Sequence, residues 1–255
     1  MGLTRAALRL AAPAPHLNDF SRFLFIGPHP DDIEIGCGAT VAALTDAGRS
    51  VSFLICTDGR YGLENAPAGT TPEDLIEIRN REALAGAKVL GVTDVRFLGL
   101  CDAGNYQKEE LLGGIARVIG ELQPEMIFAP DPFVPAECHP DHLAVGEAAR
   151  TLAFFAPYRE IMALHGAKSA DVQALGYYMT ARPNRFSASG PSFPRQQQAL
   201  SCHASQFPAG SEALRSLTLY LKLRSYDFGI RSLKGRAEGF RVLGKTQMHC
   251  IPEAK

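Results

Sequence analysis

Two short segments hold most of the chemistry-bearing residues in this chain: Pro28-His29-Pro30-Asp31-Asp32 and, far downstream, His139-Pro140-Asp141-His142. Each combines imidazoles with carboxylates, the donors used by a hydrolytic metal site. Such sites take three protein ligands from His and Asp or Glu and leave a fourth position to water. The metal then polarises a carbonyl and acidifies water at the site. Together the segments offer more than three donors, enough for a ligand set plus an acid and a base. Prolines on both sides of His29 stiffen its backbone and take it out of helix and ladder bonding, which suits fixed ligand geometry. Either segment alone would serve as a capped loop. Only their meeting in one place separates a metal site from two such loops.

The intervening elements should bring them together. Phe23 to Gly27 is a continuous apolar run, the pattern of a buried parallel strand. A helix is expected over 36–48 and a second strand from Val51 to Cys56. Thr71 then reads as an N-cap, with Pro72 in the first turn of a helix that ends near Leu90. A strand over 94–98, a helix over 109–122, a strand over 126–130 and a helix over 139–155 complete the series. This alternation predicts an α/β fold, a Rossmann-like, mostly parallel sheet with helices on both faces. Ligands gather at the carboxyl ends of such strands, where both segments emerge, as do Asp58-Gly59-Arg60 and Asp102. The C-terminal third is less regular: a strand over 173–180, a loop over 183–194, and helices over 195–206 and 212–226. We expect one domain over 1–255, with an N-terminal extension (1–20), a core (21–160) and an elaboration (161–255) that completes the substrate pocket.

Composition narrows the class of partner. The chain has 255 residues, 46% hydrophobic, with 26 Lys and Arg against 27 Asp and Glu and a net charge of −1. That balance gives no electrostatic case for nucleic acid or for an anionic membrane. No run approaches the roughly 18 apolar residues of a membrane span. The six cysteines are scattered without a CxxC pair, as in chains with reduced thiols. Residues 1–15 hold only short, interrupted apolar runs, unlike a signal peptide. The expected location is cytoplasmic.

The segment from Gly27 to Thr40, Gly-Pro-His-Pro-Asp-Asp-Ile-Glu-Ile-Gly-Cys-Gly-Ala-Thr, together with Cys138-His139-Pro140-Asp141-His142, resembles the LmbE/PIG-L family of zinc deacetylases. Arg79-Asn80-Arg81-Glu82-Ala83, His203-Ala204-Ser205-Gln206 and Ala237-Glu238-Gly239-Phe240 resemble three weaker signatures of the same family. The sequence departs from the usual pattern at Pro28 and Ile33, which flank the first core motif, and at Gly239. The resemblance implies removal of acetyl from N-acetylglucosamine conjugated to inositol, malate, a lipid or an antibiotic scaffold. It implies Zn2+, with Fe2+ as the alternative ion, held by His29, Asp32 and His142. Asp31 becomes the general base and His139 the protonated group that stabilises the oxyanion or protonates the departing amine. Arg79 and Asp102 become contacts to sugar hydroxyls. Assembly into a trimer or hexamer is also implied.

Chemistry is consistent with those roles. Neighbouring carboxylates on an extended segment point opposite ways, so Asp31 can lie beside the metal set without joining it. His139 and His142 share one face of a helix start. Two other readings stay open: a zinc amidase acting on a non-sugar amide, and a protein that binds metal or sugar without catalysis. The presence of both Asp31 and His139 counts against the second. His203 reads as structural, and Cys37 and Cys138 as packed thiols.

Overall fold

The computed structural model describes residues 11–249. Seven strands form the sheet: β1 (Arg22–Gly27), β2 (Ser50–Thr57), β3 (Asp94–Leu100), β4 (Met126–Pro130), β5 (Ala174–Tyr178), β6 (Arg185–Ala188) and β7 (Ala237–Gly244). Their order is β3-β2-β1-β4-β5-β7-β6. The first five are parallel, β7 adds antiparallel to β5, and β6 adds antiparallel to β7. The α/β expectation is met.

Burial on both faces explains the near-continuous apolar strands. In β1, Phe23 and Phe25 enter one core while Leu24 and Ile26 enter the other. The first core is covered by helices α1 (Asp32–Asp46), α2 (Pro72–Val89) and α6 (Phe193–Leu200), and there Phe25 stacks on Phe128 with ring centroids 4.5 Å apart. The second is covered by α3 (Lys108–Leu122), α4 (Pro140–Phe155) and α5 (Arg159–Leu164). Each such side chain contributes roughly 1.5–3 kcal/mol on burial. Helix α7 (Glu212–Ser232) buries Leu221 and Phe228, and a Cβ added at Gly239 of β7 would lie 2.9 Å from the Phe228 ring. Among the described residues no helix is long and apolar enough to cross a membrane.

The chain runs β1, β2, β3 to one side of the sheet and then returns to place β4 and β5 on the other. The order therefore reverses between β1 and β4, and a crevice opens at such a switch point. The loops leaving these two strands carry the two segments singled out above.

Several boundaries differ from expectation. Helix α1 starts at Asp32, not at residue 36, so Asp32 stands in its first turn. The segment 183–194 contains strand β6, α6 ends at Leu200, and α7 continues to Ser232. Strand β7 was not anticipated. Its eight residues include two glycines and both charge signs, and it is buried because β5 and β6 flank it, not because its own pattern is apolar.

Candidate active site

The loop after β1 turns sharply. Asp31 has φ 119°, a left-handed region that costs a non-glycine residue about 1–3 kcal/mol. This turn sends the neighbouring carboxylates apart, so their divergence does not come from the alternation of an extended segment as expected. Asp32 folds back: one of its oxygens, Oδ2, accepts the His29 backbone N–H at 2.9 Å and lies 3.1 Å from His29 Nδ1. Its Oδ1 lies 3.4 Å from His142 Nε2. Asp31 turns instead to Arg79, whose Nη2 donates to its Oδ2 at 3.1 Å.

The loop after β4 supplies the opposite wall. His139 caps α4, its Nδ1 accepting the Asp141 N–H at 3.3 Å, which leaves Nε2 with the proton. Asp141 is fully buried and accepts the N–H groups of Ala103 and Gly104 at 2.9 and 2.7 Å. It also faces His29 Nε2 at 3.0 Å, and Asp102 lies 3.4 Å from the same nitrogen. The rings of His29, His139 and His142 have centroids 4.6 to 5.4 Å apart.

Two overlapping groups therefore have the donors to hold a cation: His29, Asp32 and His142, and His29, Asp102, His139 and Asp141. They use opposite nitrogens of His29. In the first group both imidazoles have a carboxylate behind the nitrogen facing away from Asp32: Asp141 on His29 Nε2, and Glu137 on His142 Nδ1 at 2.9 Å. Metal-bound histidines are usually oriented in this way. In the second group Asp141 already accepts two backbone N–H bonds, which suits a supporting role better than a ligating one.

The electrostatics follow from this crowding. Burial opposes a charge on His29, but the bonds to Asp102, Asp141 and Asp32 outweigh it and push its pKa up to about 12. His142 is likewise raised to about 9 against burial, mainly by Asp32. Burial would raise Asp32, yet His142 and His29 hold it well below the usual carboxylate range. Asp31 is pushed up to about 6 by burial, with the Arg79 guanidinium pulling the other way. His139 is lowered, first by burial and then by the charges on His29 and His142. Positive charge is thus strongly favoured among these carboxylates and is disfavoured on His139.

A match to the family described as GlcNAc-PI de-N-acetylase (PIG-L) covers residues 24–153, just over half of the chain and both segments. The chain belongs to the PIG-L family. Its relatives include the diacetylchitobiose deacetylase of Thermococcus kodakarensis, 31% identical over 93% of this chain and 88% of that protein. The solved N,N'-diacetylchitobiose deacetylase from Pyrococcus horikoshii has a TM-score of 0.88 and 26% identity, covering 99% of this chain and 97% of that one. A 4-carboxy-2-hydroxymuconate hydratase from Pseudomonas putida also shares the fold, with a TM-score of 0.74 and 19% identity over 87% of this chain and 96% of that one. Fold alone therefore does not select the reaction. Family membership makes the chain an amide-hydrolysing deacetylase.

Within this PIG-L domain the seven residues singled out by sequence converge, but two of them face unexpected partners. Arg79 is buried and donates to Pro30 O, Gly59 O and Asp31, so it holds the Asp31 loop. Asp102 accepts the Tyr61 N–H at 3.3 Å and lies beside His29. His139 was expected as an imidazolium, yet its surroundings favour the neutral ring with a proton on Nε2. Glu137 went unnoticed because Pro-Ala-Glu reads as loop; the usable signal was a carboxylate five residues before a candidate ligand. His203 is buried against Glu34 at 3.2 Å, as a structural residue would be. Cys37 is packed, whereas Cys138 is exposed.

Proposed function

We propose that this protein is a metal-dependent N-deacetylase acting on an N-acetylglucosamine-type conjugate, with Zn2+, or Fe2+ in its place, held by His29 Nδ1, Asp32 and His142 Nε2. The observation that carries the reading is the meeting of these three donors at the switch point, with a carboxylate behind each imidazole. Two His and one Asp with room for water is a hydrolytic zinc set. When bound, the ion supplies Lewis-acid polarisation of the acetyl carbonyl and lowers the pKa of water at the site.

The chain's own residues divide the remaining work. Asp31, fixed by Arg79 and outside the ligand set, takes the proton of the attacking water. His139, a neutral ring, donates a hydrogen bond from Nε2 to the oxyanion that forms on the open side, and Asp31 returns the water's proton to the amide nitrogen as the carbon–nitrogen bond breaks. The products are acetate and a free amine. Asp102 and Asp141 keep His29 oriented. Residues 161–255 complete the pocket as part of one domain, a reading supported by Gln206 Nε2 donating to Gly62 O and Thr180 Oγ1 to Asp131. The sugar class rests on the two diacetylchitobiose deacetylases, which resemble the chain over nearly its whole length.

The test is metal analysis of the purified protein together with acetate release from N,N'-diacetylchitobiose and a panel of N-acetylglucosaminides. About one zinc per chain with acetate released is expected. Metal without acetate from any sugar would move the substrate to other amides. A wild type that takes up no metal under zinc-loading conditions would overturn the reading.

A further inference from the structure

Helix α1 is broken in its second turn. Cys37 has φ −154° and ψ 17°, outside the helical region, so two helical pieces meet there. The first piece is the short turn that carries Asp32. A helix break leaves carbonyls without partners on one side and N–H groups without partners on the other, and buried groups of this kind cost about 1–3 kcal/mol each when left unpaired.

Both sets are met by side chains from distant elements. Glu238 of β7 accepts the N–H of Ala39 at 3.2 Å and of Thr40 at 2.7 Å, one with each carboxylate oxygen. Gln196 of α6 donates its Nε2 to Glu34 O at 2.9 Å and to Ile35 O at 3.3 Å. The same nitrogen lies 3.0 Å from Glu238 Oε1 and joins the two clamps into one. Space has been left for this contact, because a Cβ at Gly38 would stand 2.9 Å from Gln196 Cγ. Gly36 likewise admits the ring of Tyr178, whose hydroxyl donates to Ile26 O of β1 at 2.8 Å.

We infer that Glu238 and Gln196 are positioning residues for the metal site: they bridge the break in α1 and so fix the turn from which Asp32 projects. This inference rests on the proposal that Asp32 is a metal ligand. An unbroken helix would aim its first turn by its own backbone ladder. Here the ladder is interrupted, and the aim of Asp32 depends on the last strand and on α6, neither of which supplies a ligand. Neither side chain belongs to the donor groups.

The test compares wild type with Glu238→Gln and Gln196→Met. Glu238→Gln turns one acceptor oxygen into a donor facing N–H groups, and Gln196→Met keeps the volume while removing the donor. Metal affinity is read by chelator competition, and site geometry by the visible spectrum of the cobalt-loaded protein. Both variants should bind zinc roughly tenfold or more weakly, the range seen when supporting residues around a metal are changed, and should shift the cobalt bands. Melting of the metal-free proteins separates general destabilisation from loss of aim. Should both variants bind zinc as tightly as wild type with unchanged cobalt bands, the inference fails however much they are destabilised. If Glu238→Gln does not fold, Gln196→Met alone decides. Absence of metal from wild type would instead overturn the metal reading on which the inference stands.

Discussion

The loop after β1 and the loop after β4 send imidazoles and carboxylates into the same space, but they are held in different ways. The first is closed. The His29 side chain is 9% exposed, Asp31 sits in a strained turn fixed by Arg79, and the helix behind Asp32 is clamped from two other elements. The second is open. The His139 side chain is 42% exposed, and its Nε2 faces away from its own helix. Of the three proposed ligands, His29 and Asp32 come from the closed loop, while His142, 15% exposed, follows the second loop one turn past the accessible His139. The switch point lets one sheet bring buried donors and an accessible hydrogen-bond donor to the same place.

The largest effect expected from breaking this division is at the point where the loops cooperate. His142→Ala should lose the metal and all detectable turnover, measured by metal analysis and acetate release. Asp31→Asn should separate the two functions of the closed loop, keeping the metal while kcat falls by about 10²–10⁴-fold. Retained turnover in that variant would remove Asp31 as the base. His139→Ala on the open loop should also keep the metal and fall near the lower end, about 10²-fold. Glu137→Gln should weaken metal affinity by roughly tenfold yet keep most turnover once metal is saturating, as seen in a titration with zinc.

The smallest effect on turnover is one read as stability. Burial pushes Glu238 from an ordinary 4.5 up to about 7, with the hydrogen bonds from Thr40 and Ala39 and the Arg224 charge opposing it. The folded state keeps this proton where the unfolded chain has already lost it. Stability therefore falls as pH rises from about 4.5 through about 7 and levels off above, by an amount on the order of 3 kcal/mol. Urea unfolding of metal-free protein at pH 5 and pH 8 should show this component in wild type and not in Glu238→Gln. Equal pH dependence in both would remove Glu238 as its source.

Much of the closed loop's identity was legible in the sequence, and little of its support. The apolar run ending at Gly27 and the Pro-His-Pro-Asp-Asp core announce a strand and a stiff loop through local pattern alone. The left-handed turn at Asp31 was not legible, because no glycine marks it and neighbouring prolines suggest extended chain. Arg79 was picked out by its helix, but its target depends on how α2 lies against the loop, which no local pattern records. The break at Cys37 was hidden for a related reason: a glycine-rich helix and a broken helix read alike until the residues that bridge the break are known. Strand β6 escaped because it has four residues and pairs only with β7, and β7 because its pattern is not apolar and it pairs with β5, which lies far from it in sequence.

The placement of the site across the switch point also bears on how the protein is made. His29 and Asp141, which touch in the finished fold, are separated by 112 positions in the chain. A nascent chain that has emerged only as far as β3 already contains β1, β2 and the entire first loop, yet lacks His142. It therefore has no complete donor set, and any ion it meets is bound weakly. With His29, Asp32 and His142 as the proposed ligands, metal capture would wait until β4 has inserted beside β1 and α4 has closed over it, an event of high sequence separation. The ion would then act as a latch on a completed sheet, and its arrival would serve as a clock for the docking of the second half of the molecule.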